Sequence, residues 1–126
     1  MFKSTKVFSG FSVNNIPKAK KFYSETLGVI VKDAMQGLIE LHTEGNTPII
    51  VYPKPNHEPA TFTILNFLVD DIEKAVDELT AKGVVFEQYK GQIETDEKGI
   101  SKSPAGPWIA WFKDPAGNIL SVLQDK

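Results

Sequence analysis

Apolar positions along this chain follow two rhythms, one helical and one alternating, and each change of rhythm marks an element boundary. Ile16, Ala19, Phe22, Tyr23 and Leu27 fall on one helical face. Asn14 and Asn15 can cap that helix, Pro17 suits its first turn, and Gly28 ends it. A second helix has Asp70 or Asp71 as its cap, with Glu73 three residues after Asp70 in a capping-box arrangement. Its stripe is Ile72, Ala75, Val76 and Leu79, and Gly83 closes it. Alternating or continuous apolar runs predict strands over 7–13, 29–33, 38–43, 48–53, 62–69, 84–89, 108–113 and 119–123. Between the last two, Asp114-Pro115-Ala116-Gly117-Asn118 has the chemistry of a hairpin turn, and Glu44-Gly45-Asn46 predicts a second one.

The element order repeats: strand, helix and three strands, twice. Laying Val13 on Val69 also lays Asn14-Asn15-Ile16 on Asp70-Asp71-Ile72 and Ala19 on Ala75. Internal duplication accounts for this. The expected fold class is therefore α+β: two βαβββ modules forming curved mixed sheets around a concave cavity, with helices outside. One domain is expected over 1–126, with module one at about 5–57 and module two at about 60–126. The proline-rich stretch 54–60 reads as a linker, with His57 an exposed loop residue. The segment 90–107 has no periodicity and is long for a connection, so it is either a lid over the site or a plain surface loop.

Two stretches resemble a known family. Ser12-Val13-Asn14-Asn15-Ile16-Pro17, leading to Phe22-Tyr23 and Leu27-Gly28, looks like the opening helix of the vicinal oxygen chelate superfamily. Phe112-Lys113-Asp114-Pro115-Ala116-Gly117-Asn118 looks like its closing hairpin. That superfamily includes glyoxalase I, extradiol dioxygenases, fosfomycin-modifying transferases and bleomycin-resistance proteins. The resemblance implies four metal-ligand positions, which here fall on Phe8, Ile64, Ser121 and, by the loosest alignment, Val51. Phe, Ile, Val and Ser do not supply the imidazole and carboxylate donors of a divalent-ion site. No metal and no other cofactor is therefore expected, and by resemblance the chain is expected to form a homodimer.

Strand alternation then extends the expected cavity lining from those positions. Phe8 brings Gly10 and Ser12, Val51 brings Ile49, Ile64 brings Asn66 and Leu68, and Ser121 brings Ile119. Pairing about Ala116 sets Trp111 opposite Ser121, making Trp111 the best platform for stacking a ligand. With Ile39 and Leu41 under the helix, Leu38, Glu40 and His42 turn into the cavity. The predicted ligand-binding set is Phe8, Ser12, Leu38, His42, Val51, Ile64, Asn66, Trp111 and Ser121. Glu40 and His42 are the catalytic candidates, His42 as general base and Glu40 holding its tautomer; a solvated strand face is the bland alternative.

Composition narrows the functions. The 126 residues carry 14 Lys plus Arg against 16 Asp plus Glu, a net charge of -2 that disfavours nucleic acid as a partner. Zero cysteines exclude a thiol nucleophile and thiolate metal sites. Hydrophobic residues at 41% and charged residues at 24% suit a folded chain rather than a disordered one. No apolar run reaches the roughly 18 residues of a membrane span, and the first six residues lack a secretory h-region, so a cytoplasmic location with no membrane partner is expected. Phosphate-loop, dinucleotide-turn, HExxH and GxSxG motifs are absent from the sequence. Three readings follow. The leading one is a metal-free small-molecule binding protein, resembling bleomycin-resistance proteins, for an apolar or aromatic ligand, cationic ones included. The second is a lyase, isomerase or dioxygenase with an atypical or absent metal site; the third is an interaction module whose cavity its own side chains fill.

Overall fold

Asn15 starts the first helix as its side chain dictates: Oδ1 accepts the backbone N–H of Lys18 at 2.9 Å. The structure, a computed structural model, describes residues 1–125. Two compact units, Met1–Pro59 and Ala60–Lys126, each hold one four-stranded mixed sheet and one helix. The class is α+β, in two βαβββ modules.

In the first unit β1 (Gly10–Val13) leads to α1 (Ile16–Lys21), which runs on into a π-helical turn, Phe22–Thr26. Gly28, with φ of 72°, reverses the chain there, a conformation that disfavours a side chain. Strands β2 (Ile30–Asp33), β3 (Ile39–His42) and β4 (Ile49–Pro53) complete a sheet of order β1-β4-β3-β2, with only β1 and β4 parallel. Val51 lies opposite both Phe11 and Ile39, so Phe11, Val13, Ile39, Leu41 and Val51 share one face and are all buried. The Phe11 ring meets the buried Tyr23 at 5.9 Å, which identifies this as the helix side.

In the second unit β5 (Thr63–Leu68) precedes α2 (Ile72–Ala81), followed by β6 (Ile100–Lys102), β7 (Trp108–Lys113) and β8 (Ile119–Gln124), in the order β5-β8-β7-β6. Asp71 is the cap, accepting from Lys74 N at 3.1 Å, and the Ile72 N–H is taken by Gln124 Oε1 at 2.9 Å. Ile72 and Val76 bury against the sheet face that holds Ala110, Phe112, Leu120 and Val122. The β7–β8 turn is built on Asp114. Its buried carboxylate accepts the N–H groups of Ala116 and Asn118 and the Asn118 side-chain amide, at 2.9 to 3.1 Å.

One strand is misplaced by the sequence pattern. Residues 84–89 form no ladder, and the second strand of module two is Ile100–Lys102, inside the segment expected to be irregular. The alternation of Val84 and Phe86 is real: both are buried, and Phe86 packs on Phe112 at 5.4 Å. Glu87 N bonds the neighbouring strand at Trp111 O, 2.9 Å, and β6 takes the edge from Trp108 to Ala110. The crossing requires Gly99: its φ is 88°, and a Cβ there would lie 2.8 Å from Phe86 Cβ.

Candidate functional site

On each sheet the face turned away from its helix carries the polar groups. In the first unit that face holds Gly10 and Ser12 on β1, Ile50 and Tyr52 on β4, and Glu40 and His42 on β3. His42 Nε2 and Glu40 Oε1 are 2.8 Å apart, both half-buried. Leu38 is half-buried just before β3, where its N–H closes the turn at Met35. Phe8 precedes β1 and is 64% exposed.

Val51 is a correction. It was expected on the ligand side, but its register with Ile39 and Phe11 places it in the core under the helix. A one-residue error in strand phase moves every side chain to the other face, and Ile50 and Tyr52 occupy the positions assigned to it and its neighbours. His57 is a second correction. It is not a free linker residue: it is half-buried, with Nδ1 2.6 Å from Ser12 Oγ. The turn that returns it has Lys54 N bonded to Val13 O and His57 N bonded to Lys54 O. Nothing in local sequence signals a contact across 45 positions.

In the second unit the corresponding face centres on Trp111, which lies opposite Ser121 as the hairpin turn predicts. Ser121 is fully buried and its hydroxyl donates to Oδ1 of the exposed Asn66 at 2.5 Å. The β5–β8 register shifts between Thr63 and Leu65, which breaks the parity assumed for Ile64. Thr63, unanticipated, is the residue that reaches the site: its Oγ1 accepts from Trp111 Nε1 at 3.2 Å. Tyr89 packs edge-on against the indole, 5.6 Å between centroids and 80° between planes. Trp111 also lines a pocket of about 770 Å³ whose other walls come from 91–96, 100–104 and 106–107, with Ile109 beside it. The segment 90–107 therefore carries an edge strand and pocket walls together.

The charges of that wall are mostly compensated. Burial alone raises the Asp96 carboxyl, but the N–H groups of Ile100 and Lys98 and the Lys102 ammonium outweigh it, so its pKa is lowered. Lys102 bridges Glu73 at 3.3 Å and Asp96 at 3.4 Å while sitting 5.1 Å over the Trp108 ring. Lys98 joins the same network through Asp77 and Glu73. Trp108 is thus stacked by the protein's own cation on the helix side, whereas Trp111 faces the pocket.

The four implied metal positions do not fit a divalent ion. They offer one hydroxyl in total; Val51 lies in the core and Ser121 is spent on Asn66. Among the described residues no three His, Cys, Asp or Glu side chains gather into a metal-holding group, and none of the helices is long and apolar enough to cross a membrane.

Known proteins of similar shape share this architecture. TnmS3, an antibiotic binding protein from Streptomyces sp. CB03234, has a TM-score of 0.70 at 24% identity over 98% of both chains. A superfamily member from Sphaerobacter thermophilus gives 0.74 at 21% identity, covering 99% of this chain and 100% of that one. A lactoylglutathione lyase from Agrobacterium tumefaciens gives 0.69 at 18%, covering 96% and 93%. At these identities the likeness speaks for the fold alone. No curated protein sequence matches the chain. The family model for the Glyoxalase/Bleomycin resistance protein/Dioxygenase superfamily matches residues 8–122, almost end to end. The chain belongs to that superfamily.

Proposed function

We propose that this chain is a metal-free small-molecule binding protein that takes an apolar or aromatic ligand, cationic ones included, against Trp111. The observation that carries the reading is the fixed indole: Nε1 tied to Thr63, Tyr89 packed at 80° to it, and the ring lining a pocket of about 770 Å³. An aromatic plane already held in place loses little conformational entropy when a ligand stacks on it, and its π face attracts cations. The pocket volume suits a drug-sized molecule. TnmS3, named for antibiotic binding, lends support by similarity of fold.

Titration with a flat aromatic cation such as proflavine, followed by calorimetry, tests it. Trp111→Ala is expected to weaken binding by roughly 30-fold, the scale of a buried aromatic anchor. An unchanged Kd removes Trp111 from the site. Elemental analysis of dialysed protein is expected to find far less than one equivalent of divalent metal; near one equivalent would refute the metal-free reading.

The second reading, an enzyme of the lyase, isomerase or dioxygenase kind, draws on the 2.8 Å Glu40–His42 hydrogen bond. It requires a turnover that His42→Ala abolishes, and full activity in that variant rejects it.

A further inference from the structure

Ser12 and His57 make a second chemical constellation, in the first unit and independent of Trp111. The hydroxyl and the imidazole Nδ1 are 2.6 Å apart, and both side chains are half-buried rather than sealed. A hydroxyl that close to a neutral ring nitrogen is poised to lose its proton to it as its oxygen attacks an electrophile. Two backbone hydrogen bonds, Lys54 N to Val13 O and His57 N to Lys54 O, return its segment to the end of β1.

Two neighbours shape the space in front of that oxygen. Gly10, two residues earlier on the same face, presents no side chain, and a Cβ there would already crowd Ile50 O at 3.3 Å. Tyr52 lies opposite Ser12 in the register, with its ring edge 3.9 Å from that same Cβ position. Tyr52 is 39% exposed, and its hydroxyl has no hydrogen-bond partner among the described residues. The Tyr52 ring thus borders the space over Gly10, on the same sheet face as the Ser12–His57 pair.

We propose that Ser12, with His57 as its base, is an acyl-accepting nucleophile that reacts with small activated esters, Tyr52 donating to the carbonyl oxygen. Ser12 Oγ bonds to the acyl carbon while its proton passes to His57 Nδ1. The carbon–oxygen bond to the leaving phenolate then breaks, and His57 returns the proton to that oxygen. The products are an O-acyl serine and a free phenol, with no change of oxidation state.

The test is p-nitrophenyl acetate with the full chain, following p-nitrophenol release and locating acetyl groups by peptide mass spectrometry. Acetylation of Ser12 is expected to outrun that of the surface lysines and to vanish in Ser12→Ala. His57→Gln and Tyr52→Phe are each expected to slow it about ten- to a hundredfold with the circular dichroism spectrum unchanged. Acetyl groups confined to lysines would overturn the proposal. So would phenol release that persists in Ser12→Ala, which would mean that an imidazole acts alone, or a Ser12 rate untouched by His57→Gln.

Discussion

Asp114 shows how much one side chain can organise. Its carboxylate is buried, yet three N–H donors converge on it, so the charge is repaid by hydrogen bonds inside a five-residue turn. Asp114→Ala leaves those donors without their acceptor and is expected to destabilise the fold by about 2–3 kcal/mol, read from the urea midpoint. The Ser12–His57 contact has a different character. It joins residues 45 positions apart, and while the Asp-Pro-Ala-Gly-Asn run announces its turn in sequence, no local pattern announces a bond at that distance. Trp111 stands between these cases. Hairpin pairing predicts its place opposite Ser121, but its fixed orientation depends on Thr63, which the β5 register shift brings to the site and alternation alone does not.

At the scale of elements, both helices were legible because each signal was redundant: a capping side chain, an apolar stripe and a terminal glycine agreed. Strand phase was less secure. In β4, Ile49-Ile50-Val51 is apolar at every position, so alternation gives no choice of face and only the pairing with β3 does. The second strand of module two failed for a related reason, since 84–89 alternates through burial against Phe112 without a ladder. The network that fastens β6 and its preceding turn to α2 is electrostatic and carries a pH signature. Asp96 has a lowered pKa, so its contribution is present above its ordinary value of 3.8 and is lost as pH falls through the lowered one. Lys98, raised first by its hydrogen bond to Asp77, and Lys102, raised first by Glu73, contribute below 10.5 and lose that as pH rises through their raised values. Protection of the Ile100 amide, which bonds Asp96 Oδ1, is expected to fall on acidification below 3.8. A protection factor that stays constant there would detach Asp96 from the stability of β6.

For the whole molecule, the sequence repeat was a stronger guide to class than any single element, since two copies of one pattern constrain the fold jointly. The surface adds a prediction about assembly. Phe8, Ile30, Phe62 and Leu68, on or beside strands, are each more than 60% exposed, an apolar load that a partner copy would cover. Sedimentation equilibrium is expected to give twice the 14.0 kDa chain mass, and a monomer at tens of micromolar would reject the homodimer.

The two modules differ most in one interval. From the glycine that ends its helix, module one reaches its next strand at Ile30, two positions after Gly28, whereas module two travels from Gly83 to Ile100. Lengthening a closed loop costs only logarithmically in its length, so the added stretch places little burden on folding. One half of a duplicated chain can therefore carry a long interval where the other carries a tight turn. The interval thereby divides its labour: Phe86 and Glu87 moor its start to β7, and the residues beyond, 91–96, supply surface that module one has no length to build.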